Sequence, residues 1–173
     1  SKPDGYTVGA TAVDLMLHMC FGRTDKTMDD YIPIAATMAD PYAIVVSASS
    51  PNYSNIEEFV EYAKANPGAI TVGDTGAGGA PNIAAKAFEM YFGVTFDIYT
   101  YDGSSDCVTA IESGEIDATF TQPSPAVASL KAGTLSMLAV LSDERLNSFP
   151  DCPTLTETFG GSDNNNFVLH GIQ

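Results

Sequence analysis

Between residues 72 and 88 the chain reads VGDTGAGGAPNIAAKAF, with Gly73, Gly76, Gly78 and Gly79 set between a strand-like stretch and an amphipathic helical one. A glycine-rich turn from a strand into a helix leaves several backbone N–H groups bare at the positive end of the helix, a cradle for an anion. The same glycines also suit a tight turn that only lets the helix pack closely on a sheet. Two nucleotide signatures are excluded. Gly73 and Gly78 have the Walker spacing, but Gly79 and Ala80 stand where Lys and Ser or Thr are required. The dinucleotide pattern fails because Gly76-Ala77-Gly78 is followed three residues on by Pro81.

A second strand end repeats the design. The segment TYDGSSDCVTAIESGEIDATF carries Gly103-Ser104-Ser105 between a strand at 96–101 and a helix, with hydroxyls able to cap that helix or donate to a ligand. A third, TQPSPA at Thr121–Ala126, adds hydroxyl and amide groups before another helix. Three helix starts along one sheet edge favour a binding site over three separate tight turns. None of the seven Lys and Arg lies in these loops, and Lys86 is one turn inside its helix. An anion here would therefore be held by amides, hydroxyls and water rather than by an Arg clamp.

Other chemistry fares worse. Ser104 and Ser105 as nucleophiles lack a nearby His and a GxSxG elbow, and they sit where Ser caps a helix. Asp29-Asp30 and the trio Glu57, Glu58 and Glu61 read as solvated surface rather than acid–base pairs. His18, among Leu15, Leu17 and Met19, reads as a packed or surface residue. Cys20, Cys107 and Cys152 lack CxxC spacing, and with His18 and His170 the only histidines, no metal site and no cofactor is expected. Tyr99 and Tyr101 share one face of a strand and suit either a cleft lining or a core.

These residues need a scaffold, which the patterning supplies. Strand-like stretches lie at 6–10, 42–48, 69–73, 96–101, 117–120, 135–142 and 167–172. Between them, SNIEEFVEYAKANPG has Ser54 and Glu57 in capping-box spacing, Ile56, Phe59, Val60 and Ala63 on one face, and a stop at Asn66-Pro67-Gly68. A helix from about Pro81 to Gly93 follows, then others at 105–113 and 124–132, closed by Gly114 and Gly133. The alternation predicts an α/β fold, a mainly parallel sheet with helices on both faces and ligands at the carboxyl ends of strands. GGSDNNN at 160–166 reads as a loop before a return strand. At 173 residues and 45% apolar composition, the chain is globular in character. A net charge of −15 repels nucleic acid and anionic membrane. No run approaches the roughly 18 apolar residues of a membrane span. The abrupt start and the end within a strand-like stretch suggest a piece of a longer chain.

The order of motifs resembles the solute receptors of the tripartite tricarboxylate transporters, the Bug-type extracytoplasmic binding proteins. KPDGYTV (2–8) is similar to the family's KPDGYTL, DDYIPIA (29–35) to DFTPIA, and SSPNYSNIEEFVEYAKANPGAITVG (49–73) to SPY-T-LAELVAYAKANPGKLTYG. The glycine loop is similar to G-x-x-G-x-G-S-x-x-H-x-A-A, and LKAGTLSMLAVLSDERLNSFPDCPTLTE (130–157) to I-K-A-G-K-L-R-A-L-A-V-T-S-x-x-R-x-x-x-L-P-D-V-P-T-x-x-E.

The resemblance implies a periplasmic-binding-protein type II-like fold of two lobes closing on a hinge. Residues 1–41 would be part of lobe one, 42–166 lobe two, and 167–173 the start of the return crossover. It implies a carboxylate ligand: a di- or tricarboxylate, an amino acid or an aromatic acid. The implied ligand-binding set is Thr75, Gly76, Ala77, Gly78, Gly79, Ala80 and Asn82 of the cradle, with Tyr101, Gly103, Ser104, Thr121 and Gln122, and with Thr11 and Ala12 from the first lobe. Gly79 stands where the family often has Ser, Asn82 where it has His, Asp102 where Lys is common and Thr121 where Asp is common. Implied partners are the membrane subunits of the transporter, in a periplasmic or extracellular setting with or without a lipid anchor. A truncated lobe with open sheet edges also suits a dimer formed by segment exchange. A ligand-sensing domain of a regulator or sensor kinase is the alternative for the same fold, and a small hydrolase a third.

Overall fold

The computed structural model describes residues 6–11, 14–36 and 40–160. The chain divides into two compact units, Ser1–Ala36 and Thr37–Gln173.

The first unit holds the helix α1, Asp14–Cys20, and a single 3₁₀ turn, Met28–Asp30. The strand expected at 6–10 does not form among the described residues: Tyr6–Ala10 are exposed and belong to no sheet. A β-strand satisfies its backbone through a neighbour, and none is described beside this segment. His18 is exposed on α1. Asp30 accepts from the Thr27 amide at 2.9 Å, a bond that holds its carboxyl below the ordinary carboxylate pKa.

The second unit is built on a five-stranded sheet. Its strands are β1, Ala43–Ser47; β2, Thr71–Asp74; β3, Asp97–Thr100; β4, Ala118–Thr121; and β5, Leu135–Val140. They lie in the order β3-β2-β4-β1-β5. β2 is parallel to β3 and β4, whereas β1 is antiparallel to β4 and β5. The sheet is thus mixed: four strands point one way and β1, seated between β4 and β5, runs against them. The near-continuous apolar run of β1 follows from burial on both faces, and β4 is as fully buried although two of its four residues are threonine. β3 sits at an edge and is largely exposed, so its apolar-aromatic sequence overstates its burial.

Helices α2, Ile56–Ala65, and α3, Ala80–Phe92, cover one face. There Phe59, Phe88, Phe96 and Phe120 form one aromatic cluster, with Phe88 5.3 Å from Phe120 and 6.1 Å from Phe59. Ile56, Phe59, Val60 and Ala63 are the buried face of α2, as its spacing predicts. Its cap lies one residue later than expected. Asn55 accepts from the Glu58 amide at 2.8 Å, and Glu58 Oε2 accepts from the amide and hydroxyl of Ser54. Because Ile56 is the first helical residue, Glu58 rather than Glu57 sits where a side chain can turn back to the cap.

The other face carries α4, Ser104–Ser113, and α5, Val127–Ala132; there Cys107, Val108 and Ile111 of α4 form one buried cluster with Val45, Ile116 and Leu135. The helix expected over 124–132 is split into a 3₁₀ turn, Ser124–Ala126, and α5. Pro123 and Pro125 account for the split, since proline cannot donate to a helical ladder. α3, α4 and α5 each end on a left-handed glycine, at Gly93, Gly114 and Gly133. A further helix, α6, Leu155–Phe159, is announced in the sequence only by the capping box of Thr154 and Glu157. Arg145 Nε donates to Glu157 Oε2 at 2.8 Å and Arg145 Nη1 to the Pro150 carbonyl at 2.9 Å. The strand expected at 167–172, and 161–166 of the expected loop, lie outside the described residues.

The cysteines separate by burial. Cys20 is exposed, whereas Cys107 and Cys152 are buried, and burial pushes the Cys152 thiol up to about 12. Titration with an aromatic disulfide at mildly alkaline pH is expected to modify one thiol in the native protein and all three after denaturation. Rapid native reaction of three thiols would show that the core around Cys107 and Cys152 opens readily.

Candidate functional site

Parallel β2, β3 and β4 bring their carboxyl ends to one edge of the sheet, and each runs into a helix start there: α3, α4 and the 3₁₀ turn before α5. Asp74, the last residue of β2, organises this edge. It is only 1% exposed. Its Oδ1 accepts from the Gly76 amide at 3.0 Å and the Thr100 hydroxyl at 2.8 Å, and its Oδ2 from Asn82 Nδ2 at 2.5 Å. Its carbonyl accepts from the Tyr101 amide at 2.9 Å. One residue thus ties together the ends of β2 and β3, the glycine loop and the first turn of α3.

Each loop glycine has its own reason. A Cβ on Gly73 would come within 2.5 Å of Ile116 Cδ1 and 3.2 Å of the Cys107 side chain, so this glycine lets α4 lie close on the sheet. Gly76 and Gly78 have φ of 100° and 79°, the left-handed region that the turn needs. Close packing at Gly73 and loop turning at Gly76 and Gly78 together make up the tight-turn reading of these glycines.

The loop satisfies much of itself. The Gly76 amide goes to Asp74, the Gly78 amide to Asn82 Oδ1 at 3.3 Å, and the Gly79 amide to the Gly76 carbonyl at 3.0 Å. Asn82 is thereby used on both ends of its side-chain amide as a staple for the loop. What is left for a ligand is narrower than the bare-cradle expectation: Pro81 has no N–H, the Ile83 amide goes to the Gly79 carbonyl and the Asp106 amide to the Gly103 carbonyl, so the first-turn donors without an intrahelical acceptor are the amides of Ala80, Asn82, Ser104 and Ser105, with hydroxyls beside them. Thr75, Gly76, Gly78 and Gly79 are half-buried, Ala77 is exposed and Ala80 is buried.

Around α4, Gly103 is the N-cap residue and Ser104 and Ser105 lie in the first turn, so neither serine caps the helix with its side chain. No histidine stands among the described residues of this unit. Tyr101 belongs to the edge by its amide, but its hydroxyl donates to Glu115 at 3.0 Å, beyond the far end of α4, and its ring packs on the α4 core. Thr121 ends β4, opposite Ala43 of β1, and is 0% exposed. Its Oγ1 has no hydrogen-bond partner among the described residues. Gln122 is half-buried beside it. Ser124 donates to the Asp40 carboxylate, pinning the 3₁₀ turn to the segment that leads into β1. Thr11 is exposed in the first unit, and Ala12 lies outside the described residues.

The edge is acidic. Asp102 and Asp106 flank the α4 start, and Asp74 lies behind the loop. Lys86 is held by Glu89 at 2.6 Å, and Arg145 by Glu157. The sequence reading missed Asp74 and Thr100. A signal was present in Asp74-Thr75-Gly76, an Asp whose carboxylate can accept from the amide two residues on.

A parallel-edge α/β lobe of this kind is the scaffold of periplasmic binding proteins, and similarity to known proteins agrees with it. The model of the tripartite tricarboxylate transporter family receptor matches residues 1–169, and the chain belongs to that family. It is 28% identical over 160 residues to a UPF0065 protein of Bordetella pertussis, covering 91% of this chain and 49% of that protein. The chain thus spans about half the length of that relative. A TctC solute binding protein from Polaromonas superposes with a TM-score of 0.79 at 35% identity, over 93% of this chain and 55% of that one. MatC from Rhodopseudomonas palustris, solved with bound malate, shares the fold at 21% identity with a TM-score of 0.64, over 68% of this chain and 40% of that one.

Proposed function

We propose that the second unit is one lobe of an extracytoplasmic receptor that captures a small carboxylate and hands it to a tripartite membrane transporter. The observation that carries this reading is the convergence of three helix starts on one sheet edge, with no cation in the loops. Such an edge receives one carboxylate on backbone amides and hydroxyls, at the positive ends of α3 and α4. In this reading the contacts come from Thr75, the first-turn amides of α3, Gly103, Ser104 and the Thr121–Gln122 strand end. In the whole receptor a second lobe would close over this edge and enclose the solute. Family membership and the malate held by one structural relative support a carboxylate as the solute.

The test is thermal unfolding of the full-length protein against mono-, di- and tricarboxylates, amino acids and sugars. A ligand at about 100 times its Kd adds roughly 2.7 kcal/mol of stability. A shift confined to carboxylates is the expected result. A shift with sugars alone, or none across the panel, would reject the reading.

A further inference from the structure

Asp74 has an unusual place in an edge read as an anion receiver. Its carboxylate lies directly behind the glycine loop, 1% exposed, and three donors converge on its two oxygens, as an ionised carboxylate accepts them. Among the described residues no lysine or arginine is paired with it: Lys86 is paired with Glu89 and Arg145 with Glu157. Asp102 and Asp106, beside the α4 start, add charge of the same sign. A buried charge is screened by salt much less than an exposed one, so Asp74 acts on whatever sits over the loop.

We propose that Asp74 is a specificity-determining residue, whose fixed charge admits one carboxylate at the three helix starts and disfavours a solute that presents a second. This inference rests on the receptor reading and narrows it: the solute offered to this lobe is a monocarboxylate or a zwitterion. The two tasks of Asp74 are separable. Its Oδ1 shapes the loop through Gly76 and Thr100, a job that an amide oxygen also performs; Asp74→Asn gives up the Oδ2 acceptor of Asn82, a loss that both acids of a pair feel alike, while the selectivity comes from the charge, which an amide lacks.

The experiment compares wild type and Asp74→Asn in the full-length protein, by calorimetric titration with butyrate and succinate, pentanoate and glutarate, and hexanoate and adipate. Each pair differs in one terminal carboxylate at equal chain length. The expected result is a rise of about tenfold or more in the di- over monocarboxylate affinity ratio in Asp74→Asn. A residue that only shapes the loop would weaken both members of a pair alike, and an unchanged ratio overturns the proposal while leaving the receptor reading standing. Asp74→Ser, whose hydroxyl still accepts from the Gly76 amide, supplies the same comparison if the asparagine variant fails to fold. Failure of both to fold would make Asp74 a residue of the fold alone and would also overturn the proposal. If neither wild type nor variant binds any of the six acids or any other carboxylate, the receptor reading falls and the proposal with it.

Discussion

Phe88→Ala is expected to lower the unfolding free energy by about 3–5 kcal/mol, enough to leave a marginal domain partly unfolded. Phe88 is fully buried, and its ring lies 4.4 Å from Phe92, 5.3 Å from Phe120, 5.9 Å from Phe96 and 6.1 Å from Phe59. Truncation removes the apolar burial and opens a cavity bounded by the sheet on one side and α2 on the other. The collapse that would refill it is opposed by the rigidity of the neighbouring rings. Alanine gains roughly 0.5 kcal/mol in helix propensity, too little to reverse the sign. Met90, on the same helix and 86% exposed, is the control, since its truncation should stay within about 0.5 kcal/mol. Urea denaturation with an unchanged slope and a lowered midpoint would establish the effect; equal midpoints for the two variants would show that the aromatic cluster does not hold α3 to the sheet.

Asp74→Ala is the second large effect, expected at about 2–4 kcal/mol. It leaves the Gly76 amide, the Thr100 hydroxyl and the Asn82 amide without their shared acceptor. Hydrogen bonds to a charged group contribute about 1.5–3 kcal/mol each, but the total falls below their sum because the donors, half-buried at Gly76 and Asn82 and exposed at Thr100, regain water. The loop should suffer more than the fold. Without the carboxylate, Asn82 loses the anchor that aims its Oδ1 at the Gly78 amide, and the left-handed turns at Gly76 and Gly78 lose two of their restraints. Hydrogen exchange should report this as faster exchange at 75–82, with protection kept in β1 and β4. Uniform loss of protection across the sheet would instead make Asp74 a general core residue.

Much of the second unit could be read from the sequence because its signals are local. The buried face of α2 follows from the spacing of Ile56, Phe59, Val60 and Ala63, and the ends of α3, α4 and α5 from single glycines. What escaped depends on distant partners. The reversed direction of β1 is set by β4 and β5, which lie far along the chain. The bond of the Tyr101 hydroxyl to Glu115, and the holding of Asn82 between Asp74 and Gly78, likewise exist only in the folded edge. The strand at 6–10 shows the same limit from the other side, since a strand-like pattern states a preference that only a neighbouring strand can fulfil.

The reversed strand also bears on the order in which the sheet can be assembled. Strands β2, β3 and β4 are parallel: α3 joins the neighbours β2 and β3, and α4 carries the chain from β3 past β2 to β4. β1 precedes all of these, yet its two partners are β4 and β5, so a strand buried along nearly its whole length is made before either strand that it pairs with. Closing such long loops costs entropy before the contacts repay it, which slows folding. Until β4 and β5 have been made, Ile44, Val45 and Val46 form an apolar segment without its strand partners, the kind of exposed surface that chaperones cover.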